Sequence, residues 1–276
     1  TLKKVLQKVV QDMSEGPIEL PSEDEFQQLF LDSDLWRKIV KVVEKLGRNP
    51  TPGASLGQCL DEALVLLVGN FVSTHYEERK QSILHTGADG LPKERCWSSI
   101  YAIFINVFEE LFGFDHEIAT ELVKRIVVVV DICPFDGTGD LHSNPHTQPE
   151  YFRAREQTDV YQKELLQEVI SKCPNLKCLI AFGNPAGSVL GWFPEHLRVQ
   201  DGPLYHMQQV YMRWIRYSGA KEMVNVIRSI CCTLTGQQVD EISGVAVGKF
   251  VDYARQGSKG LRLCRGYPLL GGDGDR

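Results

Sequence analysis

The sequence predicts an α/β fold: a short, mostly parallel central sheet flanked by helices, with a helical N-terminal extension. Three observations carry this. Arg125-Ile126-Val127-Val128-Val129-Val130-Asp131 is β-branched on both faces, the signature of a central strand buried on both sides. A second buried run, 176–183 (LKCLIAFG), follows a helical segment at 158–172, giving a strand–loop–helix–strand order. Ahead of both lie long segments of helical periodicity. With 276 residues, 43% hydrophobic and 24% charged, the chain has an ordinary globular composition and enough length to bury a core.

In chain order, Leu2, Val5, Leu6, Val9 and Val10 recur at helical spacing over 2–13, and Gly16-Pro17 ends that helix. Ser22 and Glu25 stand as N-cap and N3 of a capping box. They open an amphipathic region holding Phe26, Leu29, Phe30 and 36–43. Residues 47–57 and 85–95 read as loops. Residues 58–72 and 98–112 read as buried helices. The strand at 126–131 leads into a loop over 132–150, and the 158–172 helix leads to the strand at 176–183. The spacing predicts these strands as parallel neighbours joined by a right-handed crossover. Residues 205–233 read as a long helix interrupted at Ser218-Gly219, and 237–256 as helical. The divisions are thus a helical region over 1–122, an α/β core over 123–256 and a loosely ordered tail over 257–276.

Charge and cysteine usage narrow the classes. Residues 1–150 hold 14 basic and 24 acidic side chains and residues 151–276 hold 16 and 12, so a net −10 half precedes a net +4 half. The second half can face an anionic ligand, or the halves can attract each other. The whole is not a strongly basic nucleic-acid binder. No apolar run approaches the roughly 18 residues of a spanning helix, so no membrane partner is expected. The TLKKVLQKVV start has no signal-peptide core, and its Thr suggests a trimmed beginning. None of the eight cysteines forms a CxxC. They read as reduced core thiols of an intracellular protein, nuclear or cytoplasmic, and not as zinc ligands.

Parallel sheets bind ligands beyond the carboxyl ends of their strands. The loop after the first strand, DICPFDGTGDLHSNPH, is the richest segment. Asp131, Asp136, Asp140, His142 and His146 could handle protons or hold a metal, but they lack a ligand pattern, and no metal or cofactor is expected. Asp residues in such loops also serve as turn formers. Gly137-Thr138-Gly139 suits a phosphate-cradling turn. It is not a P-loop, since no Gly-Lys-Ser/Thr follows. The pentapeptide Gly187-Ser188-Val189-Leu190-Gly191 has Val at its centre, which excludes a GxSxG hydrolase. Arg213, Arg216, Lys221 and Arg228, with Tyr211, Trp214 and Tyr217, are candidate nucleic-acid contacts. Alternatively those aromatics face the core and the basic groups are solvated. Segment 249–265 adds five basic residues against one Asp, as a contact arm or a soluble tail.

Three resemblances follow from these residues. The Asp136-Gly137-Thr138 tripeptide is similar to that of haloacid-dehalogenase-like phosphatases, but Pro134 occupies the nucleophile's position. Asp131, the GTG turn and Asn184-Pro185 resemble elements of S-adenosylmethionine-dependent methyltransferases. The acid-to-glycine gap is longer here, and the second Pro and the aromatic of the NPPY motif are missing. The widest likeness, over about 126–187, is to uracil-DNA glycosylases, whose strand runs into GQDPYHGPGQAHG. Pro134, Phe135, Gly137, Gly139 and His142 fall in step with that family's Pro, Tyr, Gly, Gly and His.

The glycosylase resemblance implies a pocket for a base flipped out of a nucleic-acid stack, the partner being single-stranded or flipped-base nucleic acid, with Phe135 as one stacking wall. Asp131, Asp136 and His142 are the candidate catalytic groups. Pro134, Phe135, Gly137, Gly139, Asn184 and His206 are the candidate ligand contacts. The family's water-activating Asp falls on Cys133, and its HPS loop has no counterpart, Gly202-Pro203-Leu204-Tyr205-His206 lying only in a plausible region. The reading is therefore a nucleic-acid or nucleotide binder with glycosylase chemistry lost or rebuilt. The alternatives are a protein-interaction module working through its helical N-terminal region and a divergent methyltransferase. Phe135 admits two roles, a stacking wall or a plug closing its loop onto the core.

Overall fold

The computed structural model describes residues 1–15, 33–48, 50, 54–55, 60–69, 91–92, 95–133, 135, 149–182, 190–192, 194–197, 218–243 and 247–250. Its helices are α1 (Leu2–Glu15), α2 (Ser33–Lys45), α3 (Arg95–Phe112), α4 (His116–Ile126), α5 (Pro149–Lys172) and α6 (Ser218–Thr235). Its strands are β1 (Ala54–Ser55), β2 (Val65–Gly69), β3 (Val127–Asp131) and β4 (Cys178–Ala181). They form one sheet in the order β1-β3-β2-β4. β2 runs parallel to both β3 and β4, and the two-residue β1 pairs antiparallel with β3. The fold is the predicted α/β class, a short and mostly parallel sheet flanked by helices.

The sheet corrects one reading. The described part of the segment read as a buried helix over 58–72, residues 60–69, is not helical: after a 3-10 turn at Leu60–Glu62 it supplies the central strand. All five β2 residues are buried, so VLLVG shows no alternation. A short, continuously apolar run cannot be told from a buried helix by periodicity. Two consequences follow. β3 and β4 are parallel but not neighbours, because β2 stands between them. The sheet also draws its middle strand from the region read as purely helical.

Helices cover both faces. Val65, Leu67, Val127, Val129, Cys178 and Ile180 pack with α1, α3, α4 and α6. Leu66, Val68, Val128, Val130, Leu179 and Ala181 pack with α2 and α5. The β2-to-β3 connection crosses the first face through α3 and α4. The β3-to-β4 connection runs back over β2 and crosses the second through α5. Opposite directions on opposite faces give both crossovers the same hand, as parallel sheets require. The order reverses between β2 and β4, which makes that crevice the switch point of the sheet.

Local chemistry explains the boundaries. Asp115 caps α4, its carboxylate accepting from the Glu117 N–H at 2.9 Å, with Lys124 and Arg125 in the last turn. α4 passes into β3 without a loop, and Tyr101 Oη donates to Val127 O at 2.6 Å across that junction. α5 begins at Pro149, nine residues earlier than periodicity suggested. Proline is well placed in a first helical turn, where its missing N–H costs nothing. Residues 237–243 are not helical. Asn225 holds that segment, accepting from Ile242 N and donating to Ile242 O, while Arg228 donates to Val239 O. Gly16-Pro17, the Ser22/Glu25 capping box and residues 257–276 lie outside the described residues. No described helix is long and apolar enough to cross a membrane.

At the amino edge of the sheet α1 is fastened by charge. Arg125, 2% exposed at its side chain, sits 2.7 Å from Asp12 Oδ2 and 3.5 Å from Glu62 Oε2, and Lys8 pairs with Glu62 Oε1. Glu62 Oε2 and Arg125 Nε have no hydrogen-bond partner, so the network is incompletely satisfied. Arg125→Met should lower unfolding free energy by about 3–5 kcal/mol in urea titrations, because two carboxylates lose their counter-charge. Adding Asp12→Leu and Glu62→Leu should restore most of the loss.

Five described cysteines, Cys133, Cys173, Cys178, Cys231 and Cys232, are buried thiols. Burial pushes Cys173 up to about 12 and Cys178 up to about 11, and raises Cys231 as well. Unfolded thiols ionise near 9, so the native chain retains protons that the unfolded chain releases. That contribution is fully present below pH 9 and is lost as pH climbs from 9 towards 11–12. Thermal melts should therefore show the melting temperature falling above pH 9, and Cys173→Ala should soften that fall.

Candidate functional site at the carboxyl edge of the sheet

The site is built on the last rung of the parallel strands. Gly69 ends β2 in register with Asp131 at the end of β3. Phe182 follows β4, its N–H donating to Val68 O at 2.9 Å. By strand alternation all three belong to the face covered by α3. Trp97, in the first turn of α3, meets Phe182 edge to face, with centroids 5.6 Å apart and planes at 81°.

The middle position of this row has to be glycine. A Cβ on Gly69 would lie 2.1 Å from Asp131 Oδ1 and 2.5 Å from Trp97 Cζ2. The volume where a side chain would stand holds a carboxylate oxygen and an indole edge instead. Asp131 is 2% exposed and Trp97 is 1% exposed.

The opposite face of β3 carries a second group. Ser55 and Ala54 pair antiparallel with Val129 and Val130, and Pro50 forms an antiparallel bridge with Phe135 beyond the strand end. Phe135 is 0% exposed and packs in the core with Ile39, Val43 and Leu197. Of its two anticipated roles, this geometry is the one that closes the loop onto the core. Over its ring lies the Arg48 guanidinium, 5.7 Å from the centroid. Arg48 follows α2 directly through a left-handed Gly47 (φ 67°). Gly47 N–H donates to Glu44 O and Arg48 N–H to Val43 O, the paired bonds of a Schellman cap. Sequence reasoning missed Arg48. The signal was Gly47 ending an amphipathic helix, which fixes the direction of the next residue.

Other anticipated site residues divide as follows. Asp131 and Phe135 both lie at the carboxyl end of β3, on opposite faces of the sheet. Lys221 and Arg228, expected on a nucleic-acid face, bind their own chain: Lys221 pairs with Glu241 at 3.2 Å, and Arg228 holds Asn225 and Val239 O. Cys133, aligned with the glycosylase base, is a fully buried thiol at 0% exposure and has no access to an attacking water. Pro134, Asp136, Gly137, Gly139, His142, Asn184, His206, Arg213 and Arg216 lie outside the described residues. Among the described residues no group of three His, Cys, Asp or Glu side chains could hold a metal.

The row makes two stability predictions. Gly69→Ala should cost about 1–3 kcal/mol, as overpacking of a core does. Phe135→Ala should cost about 3–5 kcal/mol, the range for a buried Phe. Urea unfolding of each variant measures both, and a Phe135→Ala protein of unchanged stability would contradict the packing described.

Comparison of the chain with family models, with curated proteins and with solved structures gives no match, so its function must be argued from the chemistry of this edge.

Proposed function

We propose that this domain recognises nucleic acid or a nucleotide-like ligand at the carboxyl edge of its sheet, without glycosylase catalysis. One observation carries the reading. The carboxyl end of β3 bears a carboxylate on one face and a cation stacked on an aromatic ring on the other, next to the β2/β4 switch point. A nucleotide needs both kinds of partner: acceptors for base or sugar donors and a cation for phosphate. The uracil-DNA glycosylase resemblance supports the same edge, and the burial of Cys133 supports a binder over a hydrolase.

Labelled single-stranded DNA, titrated by fluorescence anisotropy over a salt series, tests this. Binding should weaken steeply as salt rises, because each neutralised phosphate releases counterions. Asp131→Asn should weaken it by about tenfold, the loss expected from about 1.4 kcal/mol. Absence of binding at low salt would contradict the proposal and favour an interaction module.

A divergent methyltransferase is the second reading. Asp131 ends the strand beside β2, where nucleotide-binding α/β folds put the acid that holds a ribose. Calorimetry with S-adenosylmethionine separates the two readings, since only the second predicts saturable heat with that ligand.

A further inference from the structure

We infer that Lys38, Lys41 and Lys45 make one face of α2 a docking surface for a chain of phosphates, the backbone of a single-stranded nucleic acid. The inference rests on the nucleotide reading above and names the surface along which that backbone lies.

The sequence sets the face. The three lysines stand at i, i+3 and i+7, so at about 100° per residue they fall within an arc of about 60°. Ile39 and Val43, both 0% exposed, lie on the far side of the helix and pack in the core. All three lysines are exposed, and no described carboxylate forms an ion pair with them. Arg37 is engaged by Asp34, and Glu44 stands at the margin of the arc. Residues 1–150 are net −10, so three cations gathered on one face reverse the local field. Compensation of the helix dipole accounts for Lys45 in the last turn but does not reach Lys38.

The chemistry of the face selects its occupant. The exposed large hydrophobic residues among those described are Val10, Met13 and Val160, and none belongs to α2. A helix that lies on a membrane inserts its apolar face, and that face of α2 is already occupied by the core. A protein interface is centred on apolar and aromatic side chains, which this arc lacks. A row of ammonium groups without apolar neighbours fits a row of phosphates, which ask only for charge and N–H donors. The spacing agrees. Lys38 to Lys45 covers about 10 Å of helix axis, and one strand carries a phosphate about every 3.4 Å, so the row spans about three phosphates. The position agrees as well. α2 ends at Lys45, and Gly47 then turns the chain toward Pro50, which bridges Phe135 beyond the carboxyl end of β3. The lysine row therefore runs toward the edge where the ligand is proposed to sit.

The test compares wild type with a Lys38→Gln/Lys41→Gln/Lys45→Gln variant and with a Lys3→Gln/Lys4→Gln/Lys177→Gln variant. The second removes the same charge from exposed lysines elsewhere. Circular dichroism melts confirm that each is folded. The probes are a mixed-sequence single-stranded DNA and inorganic polyphosphate, which has the phosphates without the bases. On DNA the α2 variant should bind about tenfold more weakly. Its log K against log salt slope should flatten by about 2, from three contacts at roughly 0.7 each. The control variant should keep the wild-type slope. An unchanged slope in the α2 variant, or equal losses in both variants, would overturn the inference while leaving the nucleotide reading to the Asp131→Asn result. If wild type binds polyphosphate but no DNA, the nucleotide reading fails, and polyphosphate judges the lysines alone. A loss of about tenfold confined to the α2 variant then supports them. Equal polyphosphate binding by both variants, or none by wild type, overturns the inference.

Discussion

Everything in this fold depends on β2 being paired along both edges and buried on both faces. From Val65 to Val68 each residue is in register with β3 on one side and β4 on the other. Such a strand can carry no polar side chain, and helices must cover each face. That one requirement divides the core into two clusters, one with α1, α3, α4 and α6 and the other with α2 and α5. It also puts the reversal of strand order between β2 and β4.

At that end the apolar rule is relaxed in one place. Gly69 continues β2 without a side chain, and the vacated volume holds the Asp131 carboxylate and the Trp97 indole. A buried carboxylate is costly unless its oxygens are hydrogen-bonded. The amino edge carries the other buried charges, where Arg125, Asp12, Glu62 and Lys8 join α1 to the sheet. The amino-edge charges pair with one another, and Asp131 and Arg48 both stand by the carboxyl end of β3.

What could be read from the sequence follows from how distinct each local signal is. β3 was legible because four valines in a row suit a strand and little else. β4 was legible from its place after an amphipathic helix. β2 was not, because leucine-rich VLLVG within a longer apolar segment is equally compatible with a buried helix. Asp131 stood out as an acid closing a valine run. Phe135 could be singled out but not assigned, because only packing distinguishes a ring that faces ligand from one that faces the core. Arg48 was not legible because it sits in a loop defined by Gly and Pro, and its place over the Phe135 ring depends on contact with a segment about 85 residues away. Arg228 misled in the opposite sense. A basic residue among aromatics resembles a nucleic-acid face, yet its guanidinium anchors the 237–243 segment to α6.

On the proposed reading, ligand meets the protein at the ends of β2 and β3. Trp97 lies in that row, whereas Trp36 and Trp192 pack on the opposite face of the sheet. Indole N–H resonances, followed by NMR while single-stranded DNA is added, report on each tryptophan separately. The Trp97 resonance should move with saturation while those of Trp36 and Trp192 stay in place. Saturating binding that leaves Trp97 unmoved would contradict it.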